Sequence, residues 1–113
     1  MLITILKSKI HMATITDTQH YYEGSIGIDK ELIEAAGLVV GEKVQVLNFN
    51  NSHRFETYVI EGGKREISLR GPAAKLGKKG DKVVILAYGH IEQSEAKKTK
   101  PKIVLVNERN EIK

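Results

Sequence analysis

The chain has 113 residues, a formal net charge of +4, 41% hydrophobic and 28% charged residues. That is the balance of an ordinary globular protein, and one domain spanning 1–113 is expected. There is no cysteine, which excludes a disulfide framework and thiolate metal sites and fits a reducing, cytoplasmic setting. No apolar run is long enough for a membrane-spanning helix, and aromatics at 5% without tryptophan argue against a single-stranded nucleic-acid platform.

In chain order, "MLITILKSKI" places its apolar residues before its lysines, the reverse of a secretory signal, and reads as a first strand. Leu2 to Leu6 and Ile10 to Thr16 are β-rich, and "TDTQHYYEG" follows as a polar connection. Ser25 to Ile28 is a short strand. Asp29 is a helix N-cap, "KELIEAAG" sets Leu32, Ile33 and Ala36 on one face, and Gly37 is the stop. Gly41 to Asn48 alternates, with Val44 and Val46 on one side; "NFNNSH" is a turn; Arg54 to Glu61 is a strand ended by Gly62-Gly63. Ile67 to Leu69 is short and apolar, and "RGPAAKLGKKGD" is a small-residue connection with a helical turn at its centre. Lys82 to Tyr88 is a strongly apolar strand, "EQSEAKKTKP" is polar and partly helical, Lys102 to Val106 is a last strand, and the end is a charged tail. Six or seven short strands with one clear helix, and no alternation of strand with long helix, predict a mainly β fold, a small β-barrel with helical decoration.

Four places hold candidate chemistry. Lys9 and His11 share a strand face, since side chains alternate with period two. A cation beside an imidazole suits anion binding, or else is an ordinary exposed face. In "RFETY", Arg54, Glu56 and Tyr58 lie on one face and Phe55, Thr57 and Val59 on the other; arginine is suited to bidentate carboxylate recognition and tyrosine can donate a proton. The small residues of "RGPAA", Arg70 to Ala74, allow a backbone to approach a ligand, or simply make a turn. Gly24-Ser25 reads as a turn, yet a serine in a strained turn can attack its own preceding carbonyl, and glycine before it removes Cβ bulk. The four histidines have no metal-ligand spacing, so no metal is expected.

In this order and spacing, "KSKIH", "YEGSIGID", "NNSHRFETY" and "GPAA" closely resemble the aspartate 1-decarboxylase family of small, bacterial, pyruvoyl-dependent enzymes. The resemblance runs to about His90, and "PKIVLVNERNEI" is similar to the terminal strand of some members. It implies a double-psi β-barrel with one or two short helices, assembled as a homotetramer with sites between protomers. It also implies an inactive proenzyme in which Ser25 attacks the Gly24 carbonyl and the chain splits into residues 1–24 and 25–113. Thr57 would stabilise the oxyanion of that step and Tyr22 would pack beside the cleavage site. The cofactor would be a pyruvoyl group formed covalently from Ser25, with no metal and no pyridoxal phosphate; it would take the substrate amine as a Schiff base and act as the electron sink.

By the same resemblance the reaction is L-aspartate to β-alanine and carbon dioxide, for pantothenate and coenzyme A biosynthesis. Arg54 would bind a substrate carboxylate, Lys9, His11 and Thr57 would line the pocket, Tyr58 would protonate the carbanion, and Gly71, Ala73 and Ala74 would give backbone contacts. No nucleic acid or membrane partner is implied. The sequence departs from the family at Arg70, where Asn is usual, at Pro72 for Ala, at Met12 for a basic residue, and at Ser52-His53 for a Gly-containing turn. On a regular strand Thr57 points away from Arg54 and Tyr58, so either the strand bulges or the site is reached from two sides. Two other readings are a basic nucleic-acid-binding or regulatory barrel and an unprocessed, inactive homologue.

Overall fold

The computed structural model describes residues 1–113. Eight strands carry it: β1 (Leu2–Thr14), β2 (Asp17–Gln19), β3 (Ser25–Asp29), β4 (Lys43–Asn48), β5 (Arg54–Gly62), β6 (Ile67–Arg70), β7 (Lys82–Glu92) and β8 (Lys102–Leu105). One α-helix, α1 (Lys30–Ala36), and two 3-10 helices, Gly71–Leu76 and Gln93–Lys98, complete it. The strands form one sheet in the order β2-β6-β3-β5-β4-β7-β1-β8.

The two N-terminal segments expected from the sequence are one long strand. β1 pairs antiparallel with β7 from Leu2↔Glu92 to Thr14↔Lys82, with register shifts between Leu6 and Ser8 and between Ile10 and Ala13. The polar stretch "KSK" is therefore absorbed by bulges, which insert a residue without ending the ladder. At the second shift Met12 takes a φ of 66°. β2 lies inside the expected polar connection; it pairs parallel with β6, Asp17↔Ser68 to Gln19↔Arg70, by backbone alone and without hydrophobic alternation.

Ile15 and Thr16 join β1, near one end of the strand order, to β2 at the other. Ile15 N–H donates to the Asp81 carbonyl (2.9 Å) and Thr16 N–H to the Ile67 carbonyl (2.7 Å). The sheet thus curls back on itself, in the mainly β fold the sequence predicts. Its interior holds Ile10, Ile26, Val46, Val59, Leu69 and Ile85, each at most 1% exposed.

Helix α1 closes one side with Leu32, Ile33 and Ala36 buried. Asp29 caps it, its side chain accepting from Glu31 N–H at 2.9 Å, and Gly37 stops it at φ 68° in the left-handed region that glycine adopts freely. The expected charged tail is an ordered hook: Val106 bridges Ile112 and Asn110 is buried. No helix is long and apolar enough to cross a membrane.

Candidate active site

Ser25 opens β3, the strand held between β5 and β6. Ile26 pairs with Val59 of β5 in parallel and with Leu69 of β6 in antiparallel register. Those three side chains are fully buried core. The alternate positions therefore share the other face: Ser25 and Gly27 on β3, Ser68 and Arg70 on β6, Arg54, Glu56 and Tyr58 on β5. Ser25 is paired directly with Arg70, and one step before Ile26↔Val59 it stands level with Tyr58. Ser25 is only 1% exposed. Its hydroxyl donates a long hydrogen bond, 3.4 Å, to the Glu23 carbonyl, two residues back in the chain.

The turn that presents Ser25 is shaped from below by Gly71. This residue has φ 72°, and a Cβ there would collide with the Tyr22 carbonyl oxygen and lie 2.8 Å from the Gly24 nitrogen. Gly24, by contrast, lies outside the left-handed region, and a Cβ on it would meet only Pro72 Cδ at an ordinary 3.5 Å. The need for a residue without a Cβ, expected at Gly24, thus falls on Gly71. A cleft of about 780 Å³ opens beside the turn, lined by His20, Tyr21, Tyr22, Gly71, Pro72 and Lys75. Ala73 and Ala74 are buried in the 3-10 helix behind it.

Arg70, where the resemblance predicts Asn, is tightly engaged. Its Nη2 donates to Glu66 Oε2 at 2.8 Å and its Nε to Ser68 Oγ at 3.2 Å. Ser68 Oγ in turn donates to the same Glu66 oxygen at 2.6 Å. The guanidinium carbon lies 5.0 Å from the centre of the Tyr22 ring, within cation–π range. Burial alone would raise the Glu66 carboxyl, but hydrogen bonds from Ser68, the Gly63 N–H and Arg70, with the Arg70 charge, hold it below the ordinary glutamate value. The Glu66 hydrogen bond raises Arg70 further above its already high range, against the opposing effect of burial. Glu66 and Ser68 were not singled out in the sequence. The available signal was the period-two polar set in "EISLR", set against Ile67 and Leu69, both 0% exposed.

The remaining expected residues fall into a second group. β5 alternates exposed and part-buried from Arg54 to Tyr58, and its pairing with β4, Lys43↔Tyr58 to Leu47↔Arg54, has no register shift. No bulge brings Thr57 round to the face of Arg54 and Tyr58. Lys9 and His11 do share a face of β1, flanking buried Ile10, but β4 and β7 separate β1 from β5. His11 stacks edge-on against Phe49, centroids 6.3 Å apart, and its buried Nδ1 has no hydrogen-bond partner. Phe49 in turn lines a small cleft of about 240 Å³ with Arg54 and His53. The chain therefore gathers Tyr22, Gly24, Ser25 and Gly71 at one place, with Tyr58 level with Ser25 on the next strand, and sets His11 and Arg54 each beside Phe49.

These features define a small curled-sheet protein whose buried Ser25 follows a backbone turn packed onto Gly71. The chain belongs to the aspartate decarboxylase family, whose model matches residues 1–113. Aspartate 1-decarboxylase of Caldicellulosiruptor saccharolyticus is 55% identical over 99% of this chain and 89% of its own. That of Clostridium beijerinckii is 53% identical over 100% and 93%, and that of Sulfurimonas denitrificans 52% over 99% and 94%.

Proposed function

We propose that this chain converts L-aspartate to β-alanine and carbon dioxide, for pantothenate and coenzyme A biosynthesis, after cutting itself between Gly24 and Ser25. The observation that supports the self-cleavage is the buried Ser25 hydroxyl directed back to the Glu23 carbonyl, beside a turn packed onto Gly71. The activity rests on membership of the family and on the near full-length likeness to aspartate 1-decarboxylases.

In the maturation step, Ser25 Oγ gives up its proton and bonds to the Gly24 carbonyl carbon. The peptide C–N bond breaks as the nitrogen takes up a proton, leaving an ester. Loss of the Ser25 Cα proton then breaks the Cβ–Oγ bond, so Gly24 ends residues 1–24 as a carboxylate and residue 25 becomes dehydroalanine. Water releases ammonia from it and leaves a pyruvoyl group at the head of residues 25–113. The residues present fit that group: it derives from a side chain already buried, and the cleft beside the turn gives a substrate access. The group supplies a carbonyl electron sink for decarboxylation, the service pyridoxal phosphate gives elsewhere.

The chain's own residues do the rest. Arg54 binds a substrate carboxylate through its planar fork. Tyr58, level with residue 25 and 37% exposed, holds the proton delivered to the substrate carbon after carbon dioxide leaves. Thr57 stabilises oxyanion charge during self-cleavage and lines the substrate pocket with Lys9 and His11, while Gly71, Ala73 and Ala74 offer backbone contacts. The face opposition of Thr57 to Arg54 and Tyr58, on a strand without a bulge, supports a site assembled between copies in a homotetramer.

Denaturing mass spectrometry on purified protein tests this reading. Two fragments are expected, 1–24 and 25–113, the larger without a free amine, together with β-alanine formed from L-aspartate. A single intact chain after long incubation, with no β-alanine formed, would end the proposal.

A further inference from the structure

The row Glu66, Ser68 and Arg70, along a strand paired on both sides, is more than an ion pair. Its space is reserved: a Cβ on Gly27 would come within 2.7 Å of Glu66 Oε2, and one on Gly62 within 2.9 Å of Glu66 Cδ. Two neighbouring strands thus carry glycine where the row lies across them. The carboxylate is fixed by three donors: Arg70, Ser68 and Gly63 N–H at 2.9 Å. Its charge is spent on one cation, whose guanidinium carbon lies over the Tyr22 ring. Arg70 is also the ladder partner of Ser25, and its neighbour Gly71 underlies residues 22 to 24.

We propose that Arg70, locked by Glu66 and Ser68, is a positioning residue for self-cleavage: it pins the Tyr22 ring and thereby holds residues 22–25 in the conformation from which Ser25 attacks. This rests on the self-cleavage reading above. The turn is held at two points before the reacting peptide, by backbone packing of residues 22–24 on Gly71 and by the side chain of Tyr22. The Ser25 hydroxyl itself makes only one, long, hydrogen bond. Restricting a near-attack geometry acts on the rate of an intramolecular step without touching the reacting atoms. Tyr22 is half-exposed; without the cation above it the ring is free to swing into the adjacent cleft.

Time courses of fragment formation, read by intact mass from freshly purified protein, test the clamp. Arg70→Ala and Tyr22→Leu should each slow cleavage by about tenfold. The double variant should be no slower than either single one, because both remove the same contact. Arg70→Lys, which keeps the charge, and Tyr22→Phe, which keeps the ring, should stay within about threefold of the unaltered chain. Turnover of aspartate per cleaved chain should be unchanged in Arg70→Ala, since Arg70 acts only on maturation. Tyr22→Leu, at a half-exposed ring, decides the matter if Arg70→Ala does not fold. Cleavage of both single variants at the unaltered rate overturns the clamp alone, as does an additive double variant or a Tyr22→Phe as slow as Tyr22→Leu. An unaltered chain that never cleaves overturns the self-cleavage reading, and the clamp with it.

Discussion

At Gly71 both the backbone conformation and the surrounding atoms forbid a side chain. A φ of 72° is costly for any residue with a Cβ, and the added carbon would strike the Tyr22 carbonyl and crowd Gly24. Gly71→Ala should therefore displace residues 22–24, cost about 1–3 kcal/mol, and abolish self-cleavage, read by thermal melting and intact mass. Gly24→Ala makes the informative contrast: its Cβ has ordinary room against Pro72, so the fold should melt within a degree or two of the unaltered chain. The sequence showed both glycines and the small-residue run after Arg70. It could not show which of them bears the close approach, because that depends on β6 delivering Gly71 beneath a turn far from it in the chain.

Among the elements, those set by local chemistry were legible and those set by distant partners were not. Helix α1 was readable from Asp29, its three apolar residues and Gly37, since caps and periodicity act within a few residues. β2 was not, because its three polar residues owe their strand form to parallel pairing with β6. The parity of Arg54, Thr57 and Tyr58 was readable from period two, whereas the two strands between β1 and β5 were not.

Asp29 does more than cap. Its second oxygen accepts from Arg65 N–H at 2.6 Å, tying the start of α1 to the loop before β6. Asp29→Ala should cost about 2 kcal/mol, one part from the lost cap and one from an unpaired amide, by urea denaturation. Asp29→Asn, which keeps both acceptor roles on a single oxygen at best, should fall between. The loop it holds leads into Glu66, whose depressed carboxyl gives a pH signature. A carboxylate held below its unfolded value adds stability above that value and loses it as pH falls through the folded one. Glu66 should thus support the fold above its ordinary value near 4.5 and lose that support in more acid solution. The stability of Glu66→Gln should fall less steeply from about pH 5 to 3 than that of the unaltered chain. Equal slopes would mean that the Arg70, Ser68 and Gly63 hydrogen bonds do not distinguish the charged state.

Across the whole molecule, closure depends on joining the ends of the strand order, and Asn110 reaches both sides of that seam. Its Oδ1 accepts from Thr14 N–H at 2.7 Å. Its Nδ2 donates to the Thr14 carbonyl at 2.9 Å and to the Arg65 carbonyl at 3.0 Å. The C-terminal hook is thereby fastened to the last residue of β1 and to the loop between β5 and β6, one on each side of Ile15 and Thr16. Asn110 sits at φ 62°, a conformation that asparagine tolerates better than most residues, and is only 2% exposed. Composition alone marked this segment as a charged tail, since one buried asparagine among Glu108, Arg109 and Glu111 gives no periodic signal. Asn110→Ala would leave an amide and two carbonyls of the seam without this partner and set alanine in a strained conformation. A loss of about 2–4 kcal/mol follows. Asn110→Asp keeps the acceptor for Thr14 N–H but turns a carboxylate oxygen toward two carbonyls, so it should be no better than alanine. Asn110→Gly, which relieves the strain alone, should recover about 1 kcal/mol relative to alanine. Urea denaturation of the three variants, made in an uncleaved Ser25→Ala background so that chain scission does not enter, separates hydrogen bonding from strain. If all three unfold at the midpoint of that background, the hook is an appendage and the seam holds without it.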